Sequence, residues 1–494
     1  KTIAPLFITT VTGLLDVVND YLWTYIVITL LVVCALYFTI RSRGVQFRLL
    51  KDVWHVIADR PLFGEVGSNT VAVDAHPEKK KKKIGSFHAF AVSLSSRVGT
   101  GNLAGVASAI FVGGPGAVFW MWVMALFGAA TAFVEATLAQ LYKRKGADSF
   151  YGGPAYYMQM GLHKPWMGVV FAVLITLTFG VANQVVQSNT LCAALADAFD
   201  TNQAWIGVVL SVSTLIIVFG GIRRISHFAS IVVPFMAIGY ILLALVVVLL
   251  NITRLPDMFL LIVRSAFGLE QAVGGAIGMA VMQGVKRGLF SNEAGEGSAP
   301  NAAAIATTSH PVKQGLLQAL GVFADTLVIC SCTAFIILLS GEWNSGRDGI
   351  ILTKYALESE VGQAGGLFIT AAIFLFAYST IIANYFYGET NIRFMTKKRG
   401  AVYLFRIITG MVVMAGSLVT LQTAWSVVDL AMGLMTIFNL VAIFLLSPRV
   451  FALLRNYIEQ RRRHKDPRFT KDMLPDIAKD IECRSQMAKR DKSH

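Results

Sequence analysis

Charged residues are scarce in this sequence. Asp, Glu, Lys and Arg make up 15% of its 494 residues, whereas hydrophobic residues make up 55%, and a soluble protein of this length needs more charge to cover its surface. The mean hydropathy is +0.61, and apolar runs of about twenty residues, enough to cross a hydrocarbon layer of roughly 30 Å, recur along the chain. The composition therefore excludes a soluble binding module and predicts a polytopic membrane protein.

Motifs for catalysis, zinc binding and nucleotide hydrolysis are also absent. The sequence contains no H-E-x-x-H, G-x-S-x-G or G-x-x-x-x-G-K-[ST], so nothing indicates a metalloprotease, a serine hydrolase or an ATP-driven pump. Four of the five cysteines fall in apolar runs, and their spacing suits neither a disulfide framework nor a zinc site. We therefore expect that the protein is not an enzyme.

The positive charge does not indicate a nucleic-acid-binding protein. The net charge is +14, but the basic residues cluster in loops between the apolar runs, as they do on the cytoplasmic side of membrane proteins. Loops rich in Lys and Arg follow the first, third, fifth, ninth and eleventh of the spans given below, and the loops between are poor in them. This alternation predicts an outside N-terminus, a cytoplasmic C-terminus and no nucleic-acid partner.

Eleven apolar runs are candidate membrane spans. They lie at residues 21–40, 85–112, 117–142, 167–196, 204–220, 229–250, 269–305, 314–340, 366–389, 402–420 and 425–446. Residues 2–19 are more polar and predict an amphipathic helix on the outer surface. Residues 452–494 are charged with little apolar periodicity, which predicts a cytoplasmic tail that is partly helical and partly disordered.

Two of these spans are interrupted at polar or glycine-rich stretches. The second breaks at "VGTGN" (98–102) and the seventh at "KRGLFSNEAGEGSAP" (286–300). If the first span is an accessory, the other ten form two sets of five, each beginning with its broken helix. An odd number of spans per set inserts the second set upside down, and paired breaks in inverted halves are typical of a transporter binding site.

The domain boundaries follow from this division. We predict a surface helix, accessory span and basic loop, then the first five-helix repeat, the second inverted repeat and a basic cytoplasmic tail. The corresponding ranges are 1–84, 85–250, 269–446 and 447–494.

Unwinding a helix in the bilayer frees backbone groups, which persist only where protein, water or a ligand satisfies them. Helix N-terminal ends suit a carboxylate, and free carbonyl groups with Ser or Thr hydroxyls suit a small cation such as Na⁺. Thr100 and Asn102, beside Gly99 and Gly101, favour such a site over close helix packing alone. An amino acid together with Na⁺ would use both kinds of chemistry.

Charged residues near the breaks are costly in a membrane and should have partners. We expect Arg97 to form a gate or structural ion pair with Glu293 or Glu296, rather than to contact substrate. Lys286 and Arg287 directly precede the second break and are candidates for a gate on the outer side.

Further polar side chains lie within other spans. Gln187 can present an amide to the centre of the protein, although an interhelical hydrogen bond is the alternative. Ser379 and Thr380 can close a cation site or bond back to their own helix. Proton relay, ion pairing and packing all stay open for three intramembrane acids, which are Glu135, Asp325 and Asp429.

Four stretches together resemble the alanine or glycine:cation symporter family. They are "VGTGNLAGVASAI", "YGGPAYYMQMGL", "KRGLFSNEAGEGSAPNAAA" and "FAYSTIIANYFYGE", and the resemblance covers most of residues 85–450. It implies the all-α fold of LeuT and the amino acid–polyamine–cation transporters, with ten helices in two inverted five-helix repeats and here one extra N-terminal span. It also implies sodium-coupled uptake of small neutral amino acids, chiefly alanine and glycine.

The resemblance also implies roles for individual residues. Substrate contacts would come from the first break, span four and the second break, through Gly99, Thr100, Gly101, Asn102, Gln187, Phe290, Ser291 and Asn292. A Na⁺ site would lie between the carbonyl groups of Ser95 and Val98 and the hydroxyls of Ser379 and Thr380.

These expectations together describe a monomeric symporter of a bacterial-type inner membrane that works by alternating access within the lipid bilayer. Proton coupling through an acid such as Asp325 is the alternative within the same class. A channel is a less favoured alternative from another class, because it would conduct far faster than a carrier.

Overall fold

The computed structural model describes residues 13, 15–58, 84–146, 149–268, 274–463 and 466–481, and it is predominantly helical. The helices are α1 (Leu15–Arg41), α2 (Val45–Arg48), α3 (Leu50–Ala58), α4 (Ser86–Arg97), α5 (Gly101–Gly113), α6 (Gly116–Leu141), α7 (Pro154–Gly161), α8 (Pro165–Phe199), α9 (Gln203–Val218), α10 (Gly221–Leu250), α11 (Leu255–Ala266), α12 (Gly274–Asn292), α13 (Ala299–Ala304), α14 (Pro311–Ser340), α15 (Gly349–Val361), α16 (Gln363–Met395), α17 (Arg399–Gly416) and α18 (Leu421–Arg462). Two short antiparallel strands, β1 (Arg144–Lys145) and β2 (Phe150–Tyr151), follow α6.

Each of the eleven predicted spans contains helix within the described residues. Within the described residues, eight helices are long and apolar enough to cross a membrane, namely α1, α6, α8, α10, α14, α16, α17 and α18. The prediction of a multi-pass helical membrane protein is therefore confirmed. The count of eleven crossings and the outside position of the N-terminus stay predictions.

The two predicted breaks are both present. Helix α4 ends at Arg97, and α5 begins at Gly101 after a non-helical turn whose first residue, Val98, has φ −80° and ψ 83°. Helix α12 ends at Asn292, and α13 begins only at Ala299. The second break thus leaves six residues without regular helix in the interior of the protein.

Positive φ angles make the second break possible. Gly295 (φ 95°) and Gly297 (φ 85°) adopt backbone conformations that residues with a Cβ atom resist. Glu293 also has a positive φ of 56°, which costs a non-glycine residue roughly 1 kcal/mol or more. Its backbone is therefore held there by the contacts of its side chain, described below.

The helices around the breaks form the buried centre of the protein. Helix α6 packs against both α12 and α14, and α16 packs against α4, α8 and α10. Helix α1 lies against α6 and α18. By contrast, α10 keeps large apolar side chains such as Phe235 and Leu242 exposed, as a helix facing lipid does.

Three helical features differ from the sequence expectations. An amphipathic helix, α11, follows α10, and α15 precedes α16 in a region assigned to a loop. Helix α18 has 42 residues, a length of about 63 Å that exceeds the hydrocarbon layer about twofold. The predicted boundary at 447 therefore falls inside this helix, and residues 466–481 fold back beside it in short turns.

The predicted surface helix at 2–19 lies mostly outside the described residues. Residues 15–19 are helical and continue directly into the first span as part of α1. The end of the tail, 482–494, also lies outside the described residues.

Candidate substrate and cation site

The first break obtains hydrogen-bond partners from side chains. Asn102 Oδ1 accepts from the Gly99 N–H at 2.9 Å, and Gln187 Oε1 on α8 accepts from the Thr100 N–H at 3.0 Å. Thr333 on α14 donates to the Asn102 carbonyl at 2.6 Å. Side chains of Asn102 and of two other helices, Gln187 and Thr333, therefore replace helical hydrogen bonds that the break removes.

The two glycines of the first break lie where other elements approach closely. A Cβ atom on Gly99 would lie 2.4 Å from Thr380 Oγ1, and one on Gly101 would lie 2.9 Å from the ring of Phe290. Neither distance is tolerated by a side chain. These glycines thus bring the first break against α16 on one side and the second broken helix on the other.

Oxygen atoms converge between the first break and α16. The Thr380 hydroxyl lies 2.8 Å from the Ser95 carbonyl oxygen and 3.3 Å from that of Val98. The Ser379 hydroxyl does not point to these oxygens, because it donates to the Phe376 carbonyl of its own helix at 3.0 Å. The Ser379 carbonyl instead accepts from the Ser95 hydroxyl at 2.9 Å. Neutral, closely spaced oxygens of this kind suit a small hard cation.

Asp325 on α14 connects the two breaks. Its carboxylate accepts from Asn102 Nδ2 at 2.7 Å and from the Ser291 hydroxyl at 2.7 Å, and it is fully buried. Ser291 lies in the last turn of α12. One carboxylate therefore holds a polar side chain from each broken helix, a contact that the sequence analysis did not predict.

Asn292 and Phe290 complete the second broken helix. Asn292 caps the helix end, since its Oδ1 accepts from the Ala294 N–H at 3.0 Å, and its Nδ2 donates to Thr326 on α14 at 3.2 Å. Phe290 turns towards the first break and packs edge-on against Trp425 of α18, with ring centroids 4.7 Å apart.

Glu135 and Asn439, on two other helices, hydrogen-bond to the backbone of the second break. Glu135 on α6 accepts from the Gly295 N–H at 3.3 Å and from Asn439 Nδ2 at 2.9 Å. Asn439 on α18 also donates to the Gly295 carbonyl at 2.9 Å. Both backbone groups of Gly295 are thus satisfied by side chains from two other helices. Sequence reasoning noted Glu135 as an intramembrane acid but had no signal for Asn439.

Arg97 does not form the predicted ion pair in this structure. Its guanidinium donates to the Gln318 carbonyl at 3.1 Å and makes no salt bridge with any described carboxylate. Glu293 is instead held by the hydroxyls of Ser96 and Ser298, each at 2.5 Å. Arg97 is itself buried, as are the four acids Glu135, Glu293, Glu296 and Asp325.

A charged and aromatic cluster covers the other side of the breaks. Arg287 forms a two-pronged ion pair with Asp429, at 3.0 and 3.1 Å, and its guanidinium lies 4.0 Å from the centroid of the Trp425 ring. Trp425 in turn covers Phe290. Lys286 lies 3.8 Å from Asp20 of α1. The two basic residues proposed for a gate therefore contact acids of α18 and α1.

Thr100 carries an unused polar group at the centre of the site. Its hydroxyl is fully buried and has no hydrogen-bond partner among the described residues, a costly arrangement unless something else binds there. Gln187 is equally buried, and its amide is fixed between Thr100 and Asn183. The first break thus carries a buried hydroxyl without a partner among the described residues, and the neighbouring Gly101 lies against Phe290 and Ser291 of the second broken helix.

Comparison with known proteins identifies the family of the chain. Residues 8–471 match the sequence profile of the Sodium:alanine symporter family. The chain is 48% identical to the "Probable sodium/glutamine symporter GlnT" and 46% identical to the "Amino-acid carrier protein AlsT", both from Bacillus subtilis. These alignments cover 95% and 94% of the chain and 95% and 96% of the relatives.

Among solved structures, MhsT in complex with L-phenylalanine aligns with 82% of this chain and 94% of its own length, at a TM-score of 0.53 and 15% identity. This likeness concerns the fold alone, and it confirms the predicted LeuT-like arrangement. The chain belongs to the sodium:alanine symporter family and is a multi-pass inner-membrane transporter that moves an amino acid together with a coupled cation.

Proposed function

We propose that this protein imports a small neutral amino acid, alanine or glycine, together with Na⁺ by alternating access. The observation that supports it best is the Thr100 hydroxyl in the first break, which is fully buried and has no hydrogen-bond partner among the described residues. An amino acid bound at this point would satisfy the hydroxyl and meet the free ends of both half-helices.

The crowding around the glycines supports a compact substrate. Gly99 and Gly101 have no room even for a methyl group beside Thr380 and Phe290. GlnT is named for glutamine, so a larger amide side chain is the main competing substrate. The short side chain of alanine, or the absence of one in glycine, suits this crowding better than the longer side chain of glutamine.

The oxygens around Thr380 support Na⁺ as the coupled ion. The carbonyl groups of Ser95 and Val98 and the Thr380 hydroxyl are hard, uncharged ligands, which suit Na⁺ better than a transition metal. All three come from the first break and α16, so binding a cation fixes these elements together. In this proposal the protein acts as a monomer, without a nucleic-acid partner and without an enzymatic step.

The test is uptake of labelled alanine into proteoliposomes that hold purified protein. We expect an inward Na⁺ gradient to drive accumulation, and replacement of Na⁺ by K⁺ to abolish it. Unlabelled glycine and alanine should compete at lower concentrations than glutamine. Equal uptake with and without Na⁺ would contradict sodium coupling, and stronger competition by glutamine would contradict the substrate assignment.

Proton coupling is the second candidate, and Asp325 is the observation that favours it. A fully buried carboxylate that touches both broken helices could carry a proton between the two sides. A protonophore that abolishes uptake while an imposed Na⁺ gradient persists would support this candidate. Uptake that survives the protonophore would exclude it.

A further inference from the structure

The segment that follows α18 returns to the protein instead of leaving it. Residues 466–481, here named the tail strap, lie against the loop that joins α13 to α14. The Phe469 N–H donates to the Ser309 carbonyl at 2.9 Å, and the Ser309 hydroxyl donates to the Pro467 carbonyl at 2.9 Å. Asp466 pairs with Lys313 in the first turn of α14 at 2.5 Å.

The strap is anchored on α18 as well as on the loop. The side chain of Gln460 exchanges two hydrogen bonds with the backbone of Arg468, both 2.9 Å long. The His310 ring lies between Tyr457 of α18 and Phe469 of the strap, with centroid distances of 5.3 and 6.0 Å. The strap therefore ties the end of α18 to the start of α14.

The loop beneath the strap is connected to both broken helices. It begins where α13 ends, at Ala304, so it is the continuation of the second broken helix. The Thr307 N–H donates to the Ile84 carbonyl at 2.9 Å, and Ile84 lies two residues before α4, the first half of the other broken helix. The chain of contacts thus runs from the tail strap through Ser309 and Thr307 to α4.

Alternating access requires the half-helices on this side to move away from their neighbours. The contacts of the strap are suited to breaking reversibly. They comprise an ion pair with a half-exposed Asp466, a 3.6 Å contact of Asp480 with the exposed His163, a few hydrogen bonds and one aromatic contact. Burial of Ile477 and Ile481 keeps the rest of the strap on the protein when these contacts open.

We propose that the tail strap is a releasable latch on the tail-side ends of α4 and α13, which keeps this side closed and must detach before substrate leaves. This inference rests on the proposed transport function and adds a regulatory element to it. The basic loops assign this side to the cytoplasm. The strap residues touch neither break, so the latch acts only through the loop at 305–310.

A reversible cross-link tests the latch directly. Ser309 and Phe469 already share a backbone hydrogen bond, so the double variant Ser309→Cys, Phe469→Cys should form a disulfide under mild oxidant. We expect the cross-linked protein to lose alanine uptake by about tenfold or more and to regain it with reductant. Each single variant, treated identically, is the control for oxidation of the native cysteines. Full-rate uptake by cross-linked protein, or failure to form the cross-link, would overturn the latch.

A second readout needs no substrate. Gln314 is fully buried in the first turn of α14, so a Gln314→Cys reporter reacts with a soluble thiol reagent only when this side opens. Combining the reporter with Asp466→Asn and Phe469→Ala should raise its labelling rate about fivefold. Asp476→Asn, an exposed strap residue with the same change of charge, should leave the rate unchanged. Equal rates in both variants would refute the latch, whereas absent alanine uptake with faster labelling would refute only the proposed substrate.

Discussion

At the scale of single residues, the site depends on side chains that substitute for missing backbone hydrogen bonds. Gln187, Asn102 and Thr333 serve the first break, and Asn439 with Glu135 serves the second. Thr100 is different, because its hydroxyl bonds to no other group in the described part of the chain. The other side chains thus stabilise the breaks, whereas the Thr100 hydroxyl is available to bind a ligand.

Thr100→Val preserves the shape of the side chain and removes only the hydroxyl. Loss of one hydrogen bond to substrate, about 1 kcal/mol, should raise the KM for alanine about fivefold. The substrate-free protein should melt no earlier than wild type, since a buried unsatisfied group has been removed. The measurements are uptake kinetics and thermal unfolding in detergent.

Thr214→Val is the matched control for this change. Thr214 is also fully buried, but its hydroxyl donates to the Leu210 carbonyl of its own helix at 2.7 Å. The KM of the Thr214→Val protein for alanine should equal that of wild type. An unchanged KM in Thr100→Val would place the free hydroxyl outside the substrate pocket.

Much of the site could be predicted residue by residue, but its connections could not. Glycine and polar residues inside apolar runs mark the breaks locally, and Thr380 follows from its place on an apolar helix. The contact of Asp325 with Asn102 spans 223 positions in the sequence. It depends on how helices pack, which apolar surfaces in lipid specify only weakly.

At the scale of helices and loops, the start of α14 carries a pH-sensitive cap. His310 lies outside the predicted spans, and its Nδ1 accepts from the Val312 N–H at 3.2 Å. Burial lowers the pKa of His310 from 6.5 to about 4, and the charge of Lys313 acts in the same direction. The folded protein therefore keeps this imidazole neutral at a pH where the unfolded chain protonates it.

The sign of the effect on stability follows from this shift. The contribution of neutral His310 is complete above pH 6.5 and is lost as the pH falls towards 4, where the free energy of unfolding has dropped by about 3 kcal/mol. His310→Asn retains an acceptor for the Val312 N–H and cannot be protonated. We expect thermal unfolding in detergent to depend less on pH in this variant between pH 7 and 4. If the unfolding temperatures of wild type and His310→Asn fell equally with pH, His310 would not be the group responsible.

Element boundaries show where sequence patterns stop being informative. The breaks were predicted because Gly, Asn and Thr interrupt an apolar run. Helix α18 runs on to Arg462 in spite of Pro448, because side chains beyond the predicted span, such as Val450, Leu454 and Tyr457, are buried against the protein. Hydropathy reports where a helix leaves the membrane, and it does not report where the helix ends.

At the scale of the whole molecule, the orientation in the membrane is open to a direct test. Thr201 lies in the exposed loop between α8 and α9, and Asp476 lies exposed in the tail strap. The alternation of basic loops places Thr201 outside and Asp476 in the cytoplasm. We expect a membrane-impermeant thiol reagent to label Thr201→Cys in intact cells and Asp476→Cys only in inverted vesicles. The reverse pattern would invert the topology.

The proposed cation ligands have an electrical consequence for the transporter. The oxygens of Ser95, Val98 and Thr380 are neutral, so a bound Na⁺ keeps its full charge while the amino acid beside it is a zwitterion with none. With one Na⁺ per amino acid, the proposed coupling moves one net charge inward per cycle, and the membrane potential then adds about 2.3 kcal/mol per 100 mV to the driving force. A cell at this voltage could thus concentrate the amino acid roughly fiftyfold more than the ion gradient alone allows.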